Sequence, residues 1–311
     1  MFSDQKIQFN PEIAMKNLKA SVLNFSMFPL FNFSQQKFEE TYSGLEGIDI
    51  TVSSGDAIFK KSKDANVHLT LTHNMGNYHP QIQQRGNKLN IQDDRSEKVR
   101  WNDGPVLWTF EVPDDMVIGF NTGSGDVLFA EISVKAKINS GSGVLAFDDI
   151  KGEIRGITGS GDIDFQNSSG HFNMNTGSGS IQGNGLSGYM TMTTGSGSIE
   201  IQDLVVTDAC SFNAGAGKVK VSLSGPLSND LYVNSGSKDA ILNLNGNKIE
   251  GAITMKADTK KGRIIAPFDF EKEEEIDNGS TNKVVLKTTQ IGDKDIKINV
   301  GTGNGTAKIK A

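Results

Sequence analysis

The sequence predicts an all-β protein built as a single-stranded right-handed parallel β-helix, a β-solenoid with about 18 residues per coil. Three observations predict it. A phrase returns at fixed spacing: Thr122-Gly-Ser-Gly-Asp126, Ser140-Gly-Ser-Gly-Val144, Thr158-Gly-Ser-Gly-Asp162, Thr176-Gly-Ser-Gly-Ser180 and Thr194-Gly-Ser-Gly-Ser198 are evenly placed, and Ala214-Gly-Ala-Gly-Lys218 follows after an interval longer by two. Apolar residues fall in columns when the copies are aligned on the second glycine. Finally, 35 of the 311 residues are Gly, and the excess sits at the repeated corners.

The columns define two strands per coil. Val127, Leu145, Ile163, Ile181, Ile199 and Val219 stand two positions after the second glycine, and Phe129, Phe147, Phe165, Gly183, Ile201 and Val221 four positions after it. This alternation is that of a strand with one buried face. A third column, Ile132, Ile150, Ser168, Leu186 and Leu204, adjoins a turn rich in Gly, Asn and Asp. The second strand places Ala136, Ile154, Phe172, Met190 and Cys210 inward, then Ile138, Gly156, Met174, Met192 and Phe212. The two extra residues of the sixth copy lie near positions 205–208, in a surface turn, so both strands keep their phase.

Energetics require stacking. About five inward side chains per coil contribute roughly 1.5–3 kcal/mol each, against about 1–2 kcal/mol for ordering each residue. One coil alone therefore does not fold, and neighbours share hydrogen bonds at about 4.8 Å spacing. The corner glycines, Gly123, Gly125, Gly141, Gly143, Gly159, Gly161, Gly177, Gly179, Gly195, Gly197, Gly215 and Gly217, supply positive φ or close backbone approach. Ser124, Ser142, Ser160, Ser178 and Ser196 form an outward hydroxyl ladder. Handedness rests on the right-handed preference of parallel crossovers. A left-handed coil with three six-residue sides is disfavoured because the apolar columns do not recur every sixth residue.

Residues 1–40 depart from the repeat and are read as a short helix and strand cap. Asn10-Pro11-Glu12 is a helix start, and Phe25, Phe28, Phe31 and Phe33 lie in the most aromatic passage. Three readings stand for that contact segment: a cap on the open end of the solenoid, a peripheral membrane or oligomer contact, or a weak export signal beginning at Met15. Residues 41–120 form irregular first coils, with Ser54-Gly55-Asp56 a worn copy of the phrase. Residues 121–311 form a regular, then loosening solenoid, continuous with 41–120 as one domain. The acidic run at 271–275 is read as a solvated loop, and Gly301–Lys310 as the final coil.

Composition narrows the function classes. The net charge of −6 and the lack of a basic stripe with interleaved aromatics argue against a nucleic-acid partner. One cysteine, Cys210, excludes an intramolecular disulfide, and its inward column makes it a small buried hydrophobe. No stretch is long and apolar enough to span a bilayer. Calcium-binding β-rolls also use eighteen residues per coil, but they carry their glycine-aspartate phrase at both corners. Here one corner carries it, and the position after the glycine reads Asp126, Val144, Asp162, Ser180, Ser198, Lys218, so no metal or other cofactor is assigned.

Asp162 and Asp164 share an outward face about 7 Å apart at strand rise, a spacing suited to acid/base work on a glycoside. Asp126 and Glu200 stand two coils away. Neither His, Arg nor Lys clusters with them and no aromatic platform is read among the outward columns, so solvated surface acids are the plainer explanation and no catalytic residue is assigned. His68, His73 and His79 lack a ligand spacing and are read as surface histidines. His171 is isolated.

The Thr/Ser-Gly-Ser-Gly-Asp-Ile phrase at its regular spacing, the lead-in Gly47-Ile-Asp-Ile50 with Ser54-Gly-Asp56, the strand ending Val112-Pro113 and the closing Gly303-Asn-Gly305 together resemble a known bacterial family. This is the "putative adhesin" β-strand-repeat family, a domain of unknown function related to the head domain of "putative auto-transporter adhesins". The resemblance covers about residues 40–311. It implies a right-handed solenoid, a place in the cell envelope or at the surface, and no catalytic residues. The expected function is non-catalytic, adhesin-like binding or scaffolding. Expected partners are an envelope protein, a matrix polymer or further copies of the chain. A polysaccharide-acting enzyme using the outward Asp pair and a self-assembling scaffold remain the alternatives. Without a clear signal peptide, a cytoplasmic location stays open beside the envelope.

Overall fold

The computed structural model describes residues 36–74, 78–93, 106–277 and 283–311. The helix start at Asn10 and the segment containing Phe25, Phe28, Phe31 and Phe33 lie outside them. Among the described residues every regular element is a strand.

Two parallel ladders run through the repeat. On the first face Val127, Leu145, Ile163, Ile181, Ile199 and Val219 are successive register partners. On the second face Ala136, Ile154, Phe172, Met190, Cys210 and Leu231 are. The regular offset holds as far as Val205, which still pairs with Ser187, and it lengthens by two where Cys210 meets Met190. The two extra residues thus sit in the turn between those strands.

Stacking like on like builds the core. Phe110, Phe59, Phe129, Phe147 and Phe165 form a continuous column of near-parallel rings with centroids 4.9, 4.5, 5.7 and 4.4 Å apart. Where the column is interrupted, the neighbours explain why. At Gly183 an added Cβ would lie 2.6 Å from Leu186 Cδ1 of the third column, and in the Ile138 column an added Cβ on Gly156 would lie 2.3 Å from Cε of Met174, its register partner one coil on, so larger neighbouring side chains fill both places. Ser168, the polar member of the third column, is fully buried; its hydroxyl donates to the Gln166 carbonyl at 2.7 Å and accepts from Ile150 N–H at 3.1 Å.

The turn between the faces holds Glu131, Asp149, Asn167 and Asp203 at φ of 55, 53, 48 and 51°. Short polar side chains tolerate this left-handed region, and the equivalent residue of the remaining coil is Gly185 at 67°.

A second hydroxyl column runs inside the Gly-Ser-Gly corner. Thr176 Oγ1 donates to the Gly161 carbonyl of the preceding coil at 2.9 Å and accepts from Gly179 N–H at 3.0 Å. Thr194 repeats this with Gly179 and Gly197, and Ser235 with Gly217 and Lys238. Thr176 is fully buried. Thr176→Val keeps the shape but leaves a buried carbonyl and a buried N–H without partners, at about 1–3 kcal/mol each. A drop of about 2–6 kcal/mol in urea unfolding is expected; an unchanged midpoint would refute the role given to this column.

At both ends the chain order departs from the stacking order. Gly47–Ser54 lies between Lys88–Gln92 and Met116–Ser124, parallel to both. Asp56–Lys61 likewise lies between Val106–Val112 and residues 127–130. At the other end Lys297–Thr302 and Thr306–Lys310 insert between the coil of Leu231–Asn243 and that of Gly251–Ile265. The closing phrase is therefore an inserted coil and not the final one, a correction to the order read from the sequence. Its inward residues Ile298, Val300, Ala307 and Ile309 are buried because coils cover them on both sides.

The outermost strands are antiparallel and polar. Gln36–Tyr42 pairs with Val67–His73, which pairs with Val106–Val112, and every residue of the first except Tyr42 is exposed. At the opposite end Lys272–Asp277 pairs with Lys283–Ile291 and is exposed throughout. The acidic run is therefore an edge strand, not a loop, and Lys287 Nζ stands 2.8 Å from Glu273 across the pair. Charged edges of this kind oppose pairing with another chain.

Candidate functional site

The corner glycines bring backbones together. An added Cβ on Gly161 would lie 1.7 Å from the Gly143 carbonyl oxygen, and one on Gly125, at φ 122°, would lie 2.1 Å from that of Gly55. Close approach is the dominant requirement, since positive φ occurs only at Gly125 and Gly143 among the twelve. The intervening serines stack through main-chain bonds: Ser160 N–H donates to Gly141 O at 3.3 Å and Ser178 N–H to Gly159 O at 3.2 Å. A second glycine stack, Gly152, Gly170 and Gly188, turns the other corner under the same constraint, each Cβ meeting a carbonyl at 2.0–2.1 Å. Sequence reading passed it over, although its regular spacing was visible.

The Asp that follows the second glycine is a coil-to-coil acceptor. Asp56 Oδ1 accepts from Asp126 N–H at 2.9 Å, Asp126 Oδ1 from Val144 N–H at 2.8 Å, and Asp162 Oδ1 from Ser180 N–H at 2.7 Å. Ser180 and Ser198 do the same with their hydroxyls. An oxygen acceptor suits the position, which accounts for its Asp and Ser members, while Val144 and Lys218 stand there without one.

The proposed acid pair has a different geometry from the one the alternation implies. Asp164 sits between Ala146 and Gln182 across the sheet and is only 3 % exposed. Burial, with the charge of Asp162 adding to it, pushes its carboxyl up to about 7, and Oδ1 has no hydrogen-bond partner. An enclosed carboxyl beside a carboxylate already bonded to backbone does not present two acids to a glycoside. The outward pair is thus corrected to one corner acceptor and one buried acid. Glu200, further along the same column, is tied to Lys220 Nζ at 2.7 Å.

The other singled-out residues are structural. Cys210 is buried, its thiol bonded to the Gly188 carbonyl at 3.3 Å and pushed up to about 12 by burial. His68 bridges Asp64 and Thr41 at 3.0 Å each. His73 is buried, edge-on to Tyr78 at 5.0 Å, and is not the surface histidine expected. His79 is exposed. Among the described residues no three His, Cys, Asp or Glu side chains converge as metal ligands.

The outer side of the second face carries the densest exposed chemistry. Its register rows place Lys135, Glu153, His171 and Tyr189 in one column and Lys137, Arg155, Asn173 and Thr191 in the next. His171 and Tyr189, from adjacent coils, lie with ring centroids 5.7 Å apart and planes tilted by 55°, so His171 is not isolated. Tyr189 is 36 % exposed. In the third column Asn139 donates to Asn121 Oδ1 at 2.7 Å and Asn234 to Asn213 Oδ1 at 3.1 Å. Near Asn121 and Asn139 a shallow groove of about 340 Å³ is lined by Thr51, Gly123, Ser140 and Gly141. The signal for this face was the same period, applied to outward residues.

The family model for Toastrack DUF4097 matches residues 45–264, more than two thirds of the chain. The chain belongs to the Toastrack DUF4097 family. The resemblance drawn from the Gly-Ser-Gly phrase is borne out, and this Toastrack chain shares the family's all-β, solenoid-like architecture. The match ends within the strand Arg263–Ile265, before the inserted C-terminal coil. Among solved structures, a "putative adhesin" from Parabacteroides merdae is 12% identical, with 88% of this chain and 97% of that one covered and a TM-score of 0.38. A "putative lipid binding protein" from Parabacteroides distasonis is 16% identical, covering 90% and 97%, with a TM-score of 0.34. A "putative cell adhesion protein" from Clostridium sporogenes is 14% identical, covering 89% and 99%, at 0.28. No curated protein matches the Toastrack chain significantly.

Proposed function

We propose that the chain is a non-catalytic, adhesin-like binding or scaffold protein of the cell envelope or surface. In this reading it is a right-handed parallel β-helix of about 18 residues per coil. It offers the outer side of its second face to an envelope protein or a matrix polymer. The observation that carries the reading is the organisation of that side. Exposed Lys, Arg, His, Tyr and Asn residues stand in register along successive coils, and a solenoid offers such a surface to an extended partner. The loss of the outward acid pair removes the best candidate for acid/base work. The charged antiparallel edge strands weigh against end-to-end self-assembly.

Cosedimentation of the purified chain with washed envelope material from its own cells tests the reading. Saturable retention is expected, with no soluble fragments or new reducing ends released. Absence of retention, or turnover of the material, would overturn it.

A further inference from the structure

On the outer side of the second face Lys137 and Arg155 are direct register partners, about 4.8 Å apart along the ladder. Lys135 is two residues from Lys137 on the same side, and all three are exposed. Like charges placed opposite one another on neighbouring strands repel. Some strand lysines are paired, Lys60 with Glu111 at 2.7 Å and Lys220 with Glu200 at 2.7 Å. Lys135, Lys137 and Arg155 form no ion pair within the described residues, although Glu153 is the direct register partner of Lys135 and the Asp49 carboxylate lies over Gly119, the register partner of Lys137 on its other side. Two adjacent cations, Lys137 and Arg155, without an ion pair in a chain of net charge −6 are suited to an anionic ligand.

The neighbours narrow the class of anion. The next two coils carry the His171 and Tyr189 rings, 5.7 Å apart, flanked by Asn173, Asn175 and Thr191. Flat rings accept the apolar face of a pyranose, amides and hydroxyls bond its hydroxyl groups, and the Arg155 fork matches a carboxylate. We propose that this side binds a uronic-acid polysaccharide running along the stack, with carboxylates at Lys137 and Arg155 and sugar rings on His171 and Tyr189. A nucleic acid fits less well, because Glu153 interrupts the positive track and only two or three phosphates would find a cation.

The inference rests on the binding-surface reading above and names its ligand. The full chain is titrated with size-defined polygalacturonate, neutral dextran and a single-stranded DNA oligomer at low salt. Polygalacturonate alone is expected to bind and to remain uncut. The double variant Lys137→Gln/Arg155→Gln should weaken binding roughly tenfold or more, and Tyr189→Ala roughly fivefold, with unfolding midpoints unchanged. Equal binding by the double variant, stronger binding to DNA, or no binding to polygalacturonate would overturn the inference. Intact dextran bound in place of polygalacturonate would overturn the uronate assignment alone. Shortening of either polymer would instead overturn the non-catalytic reading.

Discussion

Gly161→Ala is expected to abolish the folded state. The added Cβ would lie 1.7 Å from the Gly143 carbonyl oxygen and 2.6 Å from its carbon, both main-chain atoms that no rotamer change can move. Relief demands that two coils separate at this corner. Separation would break the bonds that cross this seam, Ser160 N–H to Gly141 O at 3.3 Å and Leu145 N–H to Asp162 O at 3.0 Å. Each buried bond lost costs about 1–3 kcal/mol, and the aromatic column at Phe147 and Phe165 would lose its 4.4 Å packing. A total above about 5 kcal/mol is comparable with the whole stability of an ordinary domain. Gly225→Ala is the control: nothing lies within 4 Å of its added Cβ and its φ is ordinary, so an effect within about 0.5 kcal/mol is expected. Soluble expression and far-UV circular dichroism read both. A well-folded Gly161→Ala protein would contradict the glycine stack.

The repeat was legible because its cause is local in each coil. Every Val127-type and Phe129-type position meets its counterpart one coil away, so the same steric demand is written again in each winding of the chain. The exceptions Gly156 and Gly183 could be located in the sequence, but not explained, since which neighbour fills each place is set by packing: Met174 from the next coil of the same column for Gly156, and Leu186 from another column for Gly183. The ends were not legible. Whether Ile298 contacts Leu231 or Ile253 is decided by long-range pairing that no period records, and it contacts both. The acidic run at 271–275 lacks strand propensity, and Lys272–Asp277 becomes a strand because Lys283–Ile291 offers it an edge. On the outer faces, residue-by-residue reading left His171 alone, whereas the columns place it against Tyr189.

Asp164→Asn is expected to stabilise the protein above neutral pH and to remove most of a pH-dependent loss. The Asp164 carboxyl is raised from 3.8 to about 7, first by burial and then by the charge of Asp162. The sign follows from proton counting. Between about pH 4 and 7 the folded chain holds a proton that the unfolded chain has released, so stability falls as pH rises through that window. Above pH 7 the full penalty is present, and near pH 4 it is absent. About three pKa units correspond to an upper bound of about 4 kcal/mol. Asn has nearly the same shape, carries no charge and offers an amide in place of the unpartnered Oδ1. Urea unfolding at pH 4.5, 6 and 8 should show the two proteins converging at the acid end and separating with the variant on top at pH 8. Carboxylates held low by partners, such as Asp114 beside Lys61 and the Ser133 N–H, act in the opposite sense at lower pH and are common to both proteins. Parallel curves across the whole range would mean that Asp164 ionises freely in the folded chain, and the acid pair would have to be considered again as an accessible one.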